Sequence, residues 1–458
     1  MFPSRSSWLN IEYSAMQPGK LRSSLIRGTV QLAAASILTR IIGLANRMIL
    51  SRLIGAEGLG LFQMILPLYA LLAVLAGLGL SGAVTKMVAD RSATGDTAGQ
   101  LQVCRIATRL VLAASAATAI LLWAAPALWR QLIPDQRILS TLRLMPAAFL
   151  FAALSSILRS YTQGQGWMLP TALSQIAEQV IRVAVGLVAA YLLLPYGLEK
   201  ALLGLFGGVI AGEIACLTLL FLMQLPAKRK TPPLQLGQTS AEMIKELFSL
   251  ALPILLIRLS TSITQTVESL MIPARLQAAG FSAVRATTIF GQLAGMALPL
   301  LFLPTVLIIP LTTTLVPAVA AATTLRQRGR LETLVNLSLW GTLGLGTLSA
   351  ALLYLGAPTF TVILYGSADA ARLVIKLAPL APFAYLQFTT AAILHGMGRP
   401  AYAVASDLLG TAVSLAIIYH LTALPHWGIN AVICGYTVAF IMISLLDYFL
   451  IQHFLNRI

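Results

Sequence analysis

Guanidinium groups about two helical turns apart inside an apolar stretch are the first sign of chemistry in this chain. Ser36, Arg40, Gly43 and Arg47 follow one another at intervals of four, three and four residues, which sets two arginines and a small close-approach residue on one helix face. A second stripe runs Arg258, Thr261, Ser262, Gln265, Glu268 and Ser269. A third runs Thr171, Ser174, Gln175, Glu178, Gln179 and Arg182. An ionisable residue at the centre of a membrane helix costs about 2.5–3.5 kcal/mol on insertion scales, so it normally faces a cavity or a charged partner. Arg40 and Arg47 have no acid at helical spacing, which favours a cavity that takes an anion, although Arg47 could instead snorkel to the membrane interface. Glu178 precedes Arg182 by four residues, the favourable order for a helical ion pair, and a purely structural role stays open for that pair. Glu268 has Arg258 only on a neighbouring part of its helix, almost three turns away. It is therefore the candidate carrier of a coupling ion, a proton or sodium. Glu213, Asp407 and Asp447 are acids with no evident partner in other apolar stretches, each a packing residue or an alternative carrier.

Membrane helices must position these groups. Hydrophobic residues make up 58% of the chain and charged residues 10%, with a mean hydropathy of +0.85, far from a soluble profile. A span needs roughly 20 apolar residues. Twelve stretches meet that length: 28–51, 62–88, 105–129, 143–162, 170–195, 200–225, 245–272, 288–318, 333–356, 372–394, 401–422 and 427–452. An all-α polytopic membrane protein follows. The segment before Arg27 lacks the uninterrupted apolar core of a secretory signal peptide and reads as a tail.

One phrase occurs twice. A helix from Pro146 through Arg159 breaks at Gln163-Gly164-Gln165-Gly166 and resumes after Pro170; another from Pro382 breaks at His395-Gly396-Met397-Gly398-Arg399 and resumes after Pro400. A fainter echo links Ala83-Val84-Thr85-Lys86 to Leu315-Val316-Pro317-Ala318. Repetition at half the chain length predicts two lobes of six spans, related as parallel repeats, with a substrate path at their interface. The boundaries read as a tail (1–27), an N-lobe (28–225), a linker (226–243) around Lys228-Arg229-Lys230, and a C-lobe (244–458). The first and seventh spans open the two lobes, and such helices commonly line a central cavity.

Charge sets the orientation. With the N-terminus inside, eighteen basic residues fall on the cytoplasmic side, including Lys86, Arg91, Lys228 to Lys230, Arg328 and Arg399, against nine on the other, including Arg52, Arg137 and Arg372. That bias predicts both termini cytoplasmic. It also gives the net charge of +16 a plain origin in loops facing anionic lipid, and no folded basic surface suggests nucleic acid as a partner. Cys104, Cys216 and Cys434 lack metal-ligand spacing and read as small apolar residues; the four histidines form no ligand motif either, so no metal or organic cofactor is expected. Gly55-Ala56-Glu57-Gly58-Leu59-Gly60 misses the dinucleotide fingerprint and reads as a turn between spans. Glycines such as Gly204 and Gly208, or Gly77, Gly79 and Gly82, read as helix-packing surfaces. No loop is long enough for a catalytic domain, so an integral-membrane enzyme is disfavoured.

Several of these residues also carry a resemblance. Thr39-Arg40-Ile41-Ile42-Gly43 with Asn46-Arg47, Arg52, Gly55, Glu57-Gly58 and Gly60 resembles the first hairpin of the stage V sporulation protein B family. So do Arg159-Ser160-Tyr161-Thr162-Gln163-Gly164 with Pro170-Thr171-Ala172 and Glu178-Gln179-Val180-Ile181-Arg182, and Pro273 through Gly280 with Gly291-Gln292-Leu293 and Gly295-Met296-Ala297. The resemblance runs through nearly the whole chain. It implies a polysaccharide-type member of the multidrug, oligosaccharidyl-lipid and polysaccharide exporter superfamily, with a V-shaped two-lobe bundle. Relatives include flippases for lipid II and for O-antigen units. Two departures accompany it: lipid II flippases have fourteen spans and additional cavity arginines, with Gln292 standing where one would be, and the arginine after the glycine in span 1 is offset by one residue, with Asn46 beside Arg47.

The combined expectation is a flippase that carries a polyprenyl-pyrophosphate-linked sugar, a lipid-linked oligosaccharide or peptidoglycan precursor, from the inner to the outer leaflet by alternating access. Arg40, Arg47 and Arg258 would bind the anionic head group, with Gln175, Gln265 and Gln292 lining the cavity. Glu268, Glu178 and Arg182 would supply coupling or charge pairing. Partners are the lipid-linked glycan and membrane lipids, and the oligomeric state stays open, a monomer included. The alternatives are a cation-coupled multidrug exporter of the same superfamily and a non-transporting scaffold for envelope or spore cortex assembly.

Overall fold

The computed structural model describes residues 18–224 and 239–457. Tail residues 1–17 and linker residues 226–238, including Lys228-Arg229-Lys230, lie outside the described residues. The N-terminal half forms α1 (Pro18–Gly77), α2 (Leu80–Ala93), α3 (Thr97–Ala124), α4 (Pro126–Leu132), α5 (Leu139–Leu142), α6 (Met145–Gly164), α7 (Leu169–Leu193) and α8 (Leu198–Gln224). The C-terminal half forms α9 (Ser240–Ala278), α10 (Ala283–Phe290), α11 (Leu298–Phe302), α12 (Thr305–Thr324), α13 (Arg328–Tyr365), α14 (Ala371–Leu377), α15 (Ala381–Gly396), α16 (Pro400–Leu421) and α17 (Ile429–Leu455). A π-helical segment, Gly291–Ala297, joins α10 to α11. There is no strand among the described residues, so the all-α expectation holds.

Among the described residues, eleven helices are long and apolar enough to cross a membrane, or twelve when the pair Gln136–Leu142 and Met145–Gly164, bent by 50°, is taken as one broken span. The match to twelve sequence stretches is not one-to-one. The first stretch and the start of the second lie on α1, which is broken only at Gly55 (φ 66°). The turn expected over Gly55–Gly60 thus shrinks to one residue, and Ala56–Gly60 is helical. The second stretch breaks again at Leu78-Gly79 and the eighth at Leu303-Pro304. Gly55 and Gly280, both with positive φ, precede these two breaks by the same interval.

The duplicated phrase is duplicated in three dimensions. After α6, the amides of Gln165, Gly166 and Trp167 donate to the carbonyls of Tyr161, Gln163 and Thr162; after α15, those of Met397, Gly398 and Arg399 donate to Ile393, His395 and Leu394. Gly166 (φ 76°) and Gly398 (φ 72°) take the left-handed conformation that ends each helix, and a proline in the first turn starts the next. A Cβ on Gly164 would sit 2.7 Å from the Thr85 carbonyl and from Val88 on α2. One on Gly396 would sit 2.8 Å from the Val316 carbonyl and 2.7 Å from Val319 on α12. Both copies therefore seat the same glycine against the same kind of partner helix.

The chain contains two compact units. One comprises the described residues within 1–46, 68–126 and 140–263; the other comprises those within 47–67, 127–139 and 264–458. In the first, α7 and α8 meet backbone to backbone. A Cβ on Gly204 would lie 2.8 Å from the Ala189 carbonyl carbon, one on Gly208 2.5 Å from Gly186 Cα, and one on Gly212 2.7 Å from the Glu178 carbonyl oxygen. Small residues every fourth position allow this approach, as membrane helix pairs require. In the second unit, α1 crosses α10 and the π-helical segment with equal closeness, a Cβ on Gly60 falling 2.1 Å from the Thr287 carbonyl oxygen.

Candidate functional site

The glycine contact between α7 and α8 brings Glu213, next to Gly212, onto the Glu178–Arg182 face. Glu178 is held by two guanidiniums: Arg182 one turn on, and Arg159 from α6. Arg182 also reaches Glu213 Oε1 at 3.2 Å. Glu213 accepts from Ser155 Oγ at 3.2 Å and from the Tyr69 hydroxyl at 3.4 Å. Arg159 Nε donates to Ser174 Oγ at 3.1 Å, and its Nη2 approaches Cys216 Sγ at 2.8 Å. Two arginines and two glutamates make the cluster formally neutral. Desolvation of each charge is offset by its neighbours, the condition under which buried ions are tolerated.

This arrangement bears out the Glu178–Arg182 pair and corrects two other readings. Glu213 is not an isolated acid, because the close packing of α8 on α7 delivers it to Arg182. Cys216 is more than an apolar filler, because Arg159 turns one N–H toward its sulfur. Arg159 was visible only as part of a family-like motif. Its partners sit on helices whose contacts no local spacing reveals.

The arginines expected to bind an anion form no such cluster. Arg40 and Arg258 are exposed and Arg47 is half-buried, and none is ion-paired with an acid among the described residues. Arg47 has Tyr365 as its electrostatic neighbour. Arg40 and Arg258 belong to the first unit; Arg47, Gln265, Glu268 and Gln292 belong to the second. Gln265 is exposed on α9, Glu268 is half-buried with no ion-pair partner among the described residues, and Gln292 is half-buried in the π-helical segment. Gln175 is half-buried one turn before Gln179 on α7. The described residues contain no group of three or more His, Cys, Asp or Glu side chains placed to hold a metal ion.

A second charged network was not foreseen. Between α4 and α5, Asp135 is clamped by Arg137, with Nε 2.9 Å from Oδ1 and Nη2 2.7 Å from Oδ2, and it accepts from Thr287 Oγ1 at 2.9 Å. Arg137 also pairs with Glu57 on α1. Burial alone would push the Asp135 carboxyl up, but the hydrogen bonds from Arg137 and Thr287 and the guanidinium charge outweigh it and hold the carboxyl below its usual range. The spacing Asp135-Gln136-Arg137 hinted at a local pair, whereas the ties to Glu57 and Thr287 depend on tertiary packing.

Comparison with known proteins places this architecture. A family model described as polysaccharide biosynthesis protein matches residues 25–323. The chain is 30% identical over 433 residues to stage V sporulation protein B of Bacillus subtilis (strain 168), covering 93% of this chain and 83% of that protein. It is 26% identical over 476 aligned positions to lipid II flippase MurJ of the same organism, again across 93% of this chain and 83% of that protein. Among solved structures, the inward-facing conformation of a multidrug resistance MATE family transporter of the MOP superfamily matches with a TM-score of 0.77 at 17% identity, covering 94% of this chain and 98% of that one. At that identity the likeness shows the fold.

Proposed function

The chain belongs to the polysaccharide biosynthesis protein family, and we propose that it moves a polyprenyl-pyrophosphate-linked sugar from the inner to the outer leaflet by alternating access. The supporting observation is the contrast between arginines. Arg159, Arg182 and Arg137 are each neutralised by carboxylates, whereas Arg40, Arg47 and Arg258 are not ion-paired with any described acid. A pyrophosphate head group cannot enter hydrocarbon without replacing its hydration. Unpaired guanidiniums in the spans offer fork-shaped donors that suit phosphate oxygens. Gln175, Gln265 and Gln292 would bind the uncharged sugar.

On this reading no bond is made or broken by the protein, and the lipid tail stays in the bilayer throughout. Glu268, which has no ion-pair partner among the described residues, is the carrier of a coupling proton or sodium ion, while Glu178 and Arg182 hold the helices together. The two lobes (28–225 and 244–458) and the cytoplasmic placement of both termini complete the scheme. A relative named as a lipid II flippase supports a lipid-linked glycan as the substrate class. A cationic drug would call for acidic and aromatic ligands, and the unpaired arginines oppose it. The deciding experiment reconstitutes the purified protein in liposomes with labelled lipid-linked precursors and scores leaflet exchange. Protein-dependent exchange is expected, and exchange no faster than in empty liposomes would overturn the reading.

A further inference from the structure

The end of α13 is stitched to α1 through backbone carbonyls. Ser51 Oγ donates to the Tyr365 carbonyl at 3.2 Å, and Arg52 Nη2 donates to that of Ile363 at 2.7 Å. Gly366 closes α13 with φ 73°, and a Cβ there would lie 3.2 Å from Arg52 Cγ. All these residues belong to the second unit. The stitching leaves the Tyr365 side chain unused. That side chain is 1% exposed, and its hydroxyl is buried with no hydrogen-bond partner. Its electrostatic neighbour is Arg47, one turn before Ser51 on α1. Arg47 is half-buried and ion-paired with no acid among the described residues.

A buried hydroxyl without a partner and a guanidinium without a counter-ion are each costly to keep inside a membrane protein. Side by side they form a pair of donors that lacks an acceptor, and such orphaned groups call for a ligand to complete them. We infer that Arg47 and the Tyr365 hydroxyl together bind one phosphate group of an anionic ligand, the guanidinium through its fork and the hydroxyl through a remaining oxygen. A phosphate has an oxygen left after it fills the fork, which a carboxylate does not. A cation is repelled by Arg47, and an uncharged ligand leaves the guanidinium charge uncompensated. The inference rests on the reading of Arg47 as a head-group ligand and adds to it a binding residue from α13. Phosphate chemistry of this kind comes either from a lipid-linked pyrophosphate or from soluble phosphate, and the two are separated by experiment.

The test uses the purified full-length protein in detergent, as wild type, Tyr365→Phe and Arg47→Gln. Melting is followed against rising concentrations of inorganic pyrophosphate or farnesyl pyrophosphate, with sodium chloride at equal ionic strength as the blank. A ligand that binds the folded state raises the melting temperature in a saturable way, which yields a dissociation constant. Wild type should show this rise with at least one probe. Arg47→Gln should lose it. Tyr365→Phe removes one hydrogen bond and should weaken affinity about threefold to tenfold, and it decides the matter should Arg47→Gln not fold. Without ligand, Tyr365→Phe should melt at or above wild type, since its hydroxyl has no bond to lose. Protection by farnesyl pyrophosphate alone supports the subsite with a lipid-linked ligand, and protection by both probes supports it with phosphate itself as the recognised group. No protection of wild type, equal affinity in wild type and Tyr365→Phe, or a ligand-free Tyr365→Phe that melts below wild type would overturn the subsite. Leaflet exchange is scored separately: binding without exchange would sink the flippase reading and keep the subsite, whereas exchange with unchanged affinity in Tyr365→Phe would do the reverse.

Discussion

Glu213 on α8 lies 3.2 Å from Arg182 on α7, and that contact ties a third helix to the pair already made by Glu178 and Arg159. It exists because Gly208 and Gly212 let the α8 backbone rest on Gly186 and Glu178. A short carboxylate side chain can then reach a guanidinium that its own helix does not provide. Charge pairing and backbone approach are thus one device, and either can be broken separately.

Breaking the charge comes first. Glu178→Gln leaves Arg159 and Arg182 with Glu213 as their one remaining acid. The side chains concerned are 14–30% exposed, apart from Glu213 at 7%. The loss should therefore fall between that of a surface pair and that of a fully buried one, about 1–3 kcal/mol. Thermal melts in detergent should show a lowered midpoint for Glu178→Gln and partial recovery when Arg159→Gln restores neutrality. A melt identical to wild type would rule out a structural role for the cluster.

What could be read before the structure follows a physical boundary. Helical spacing and apolar run length are local, so the spans, the Glu178–Arg182 pair and the duplicated Gly-Pro breaks were all legible. The seat of Gly164 on α2 and Gly396 on α12 confirms that the repeat is structural. Contacts between helices far apart in sequence leave no local periodicity. That is why Glu213 read as isolated and why Glu57, Asp135 and Thr287 were not connected. The bend at Gly55 and the breaks at Leu78 and Leu303 are similar cases, since an apolar stretch looks the same whether its helix is continuous or interrupted.

The unpaired arginines give the sharpest functional expectation. Arg40→Ala or Arg258→Ala should lower leaflet exchange of the lipid-linked precursor about tenfold or more, the loss of one charge-assisted contact to phosphate. Insertion and melting should stay unchanged, since neither side chain is ion-paired among the described residues. Lysine at either position should recover part of the rate, because it keeps the charge but not the bidentate fork. Exchange at wild-type rate in the double alanine variant would refute an anionic head-group site at these residues.

Backbone approach can be tested with adjacent glycines. A Cβ on Gly208 would fall 2.5 Å from Gly186 Cα and 2.6 Å from the Arg182 carbonyl oxygen, whereas one on Gly207 meets nothing within 4 Å. Gly208→Ala must push α7 and α8 apart and should cost about 1–3 kcal/mol. Gly207→Ala adds helix propensity without a clash and should be neutral or stabilising by up to about 1 kcal/mol. Melting curves of the two variants should therefore move in opposite directions or differ clearly in size. Equal effects would mean that the glycine face is not what sets the helix separation.

The Asp135 clamp predicts a pH dependence with a definite sign. Its carboxyl is held below the usual range in the folded protein, through Arg137 and Thr287 against the opposing effect of burial. An aspartate in the unfolded chain titrates near about 3.9. A depressed folded value means that the unfolded state binds the proton more readily, so the clamp's contribution is complete above that pH and declines as pH falls toward the folded value. Asp135→Asn should therefore melt below wild type at pH 7 and at pH 5 by a similar margin. As the pH drops below about 4, the wild-type advantage should shrink, because only wild type loses a charge there. Melts of the two proteins in matched detergent buffers across this range decide the point, and a gap that stays constant down to pH 3 would show that Asp135 does not carry its charge in this clamp.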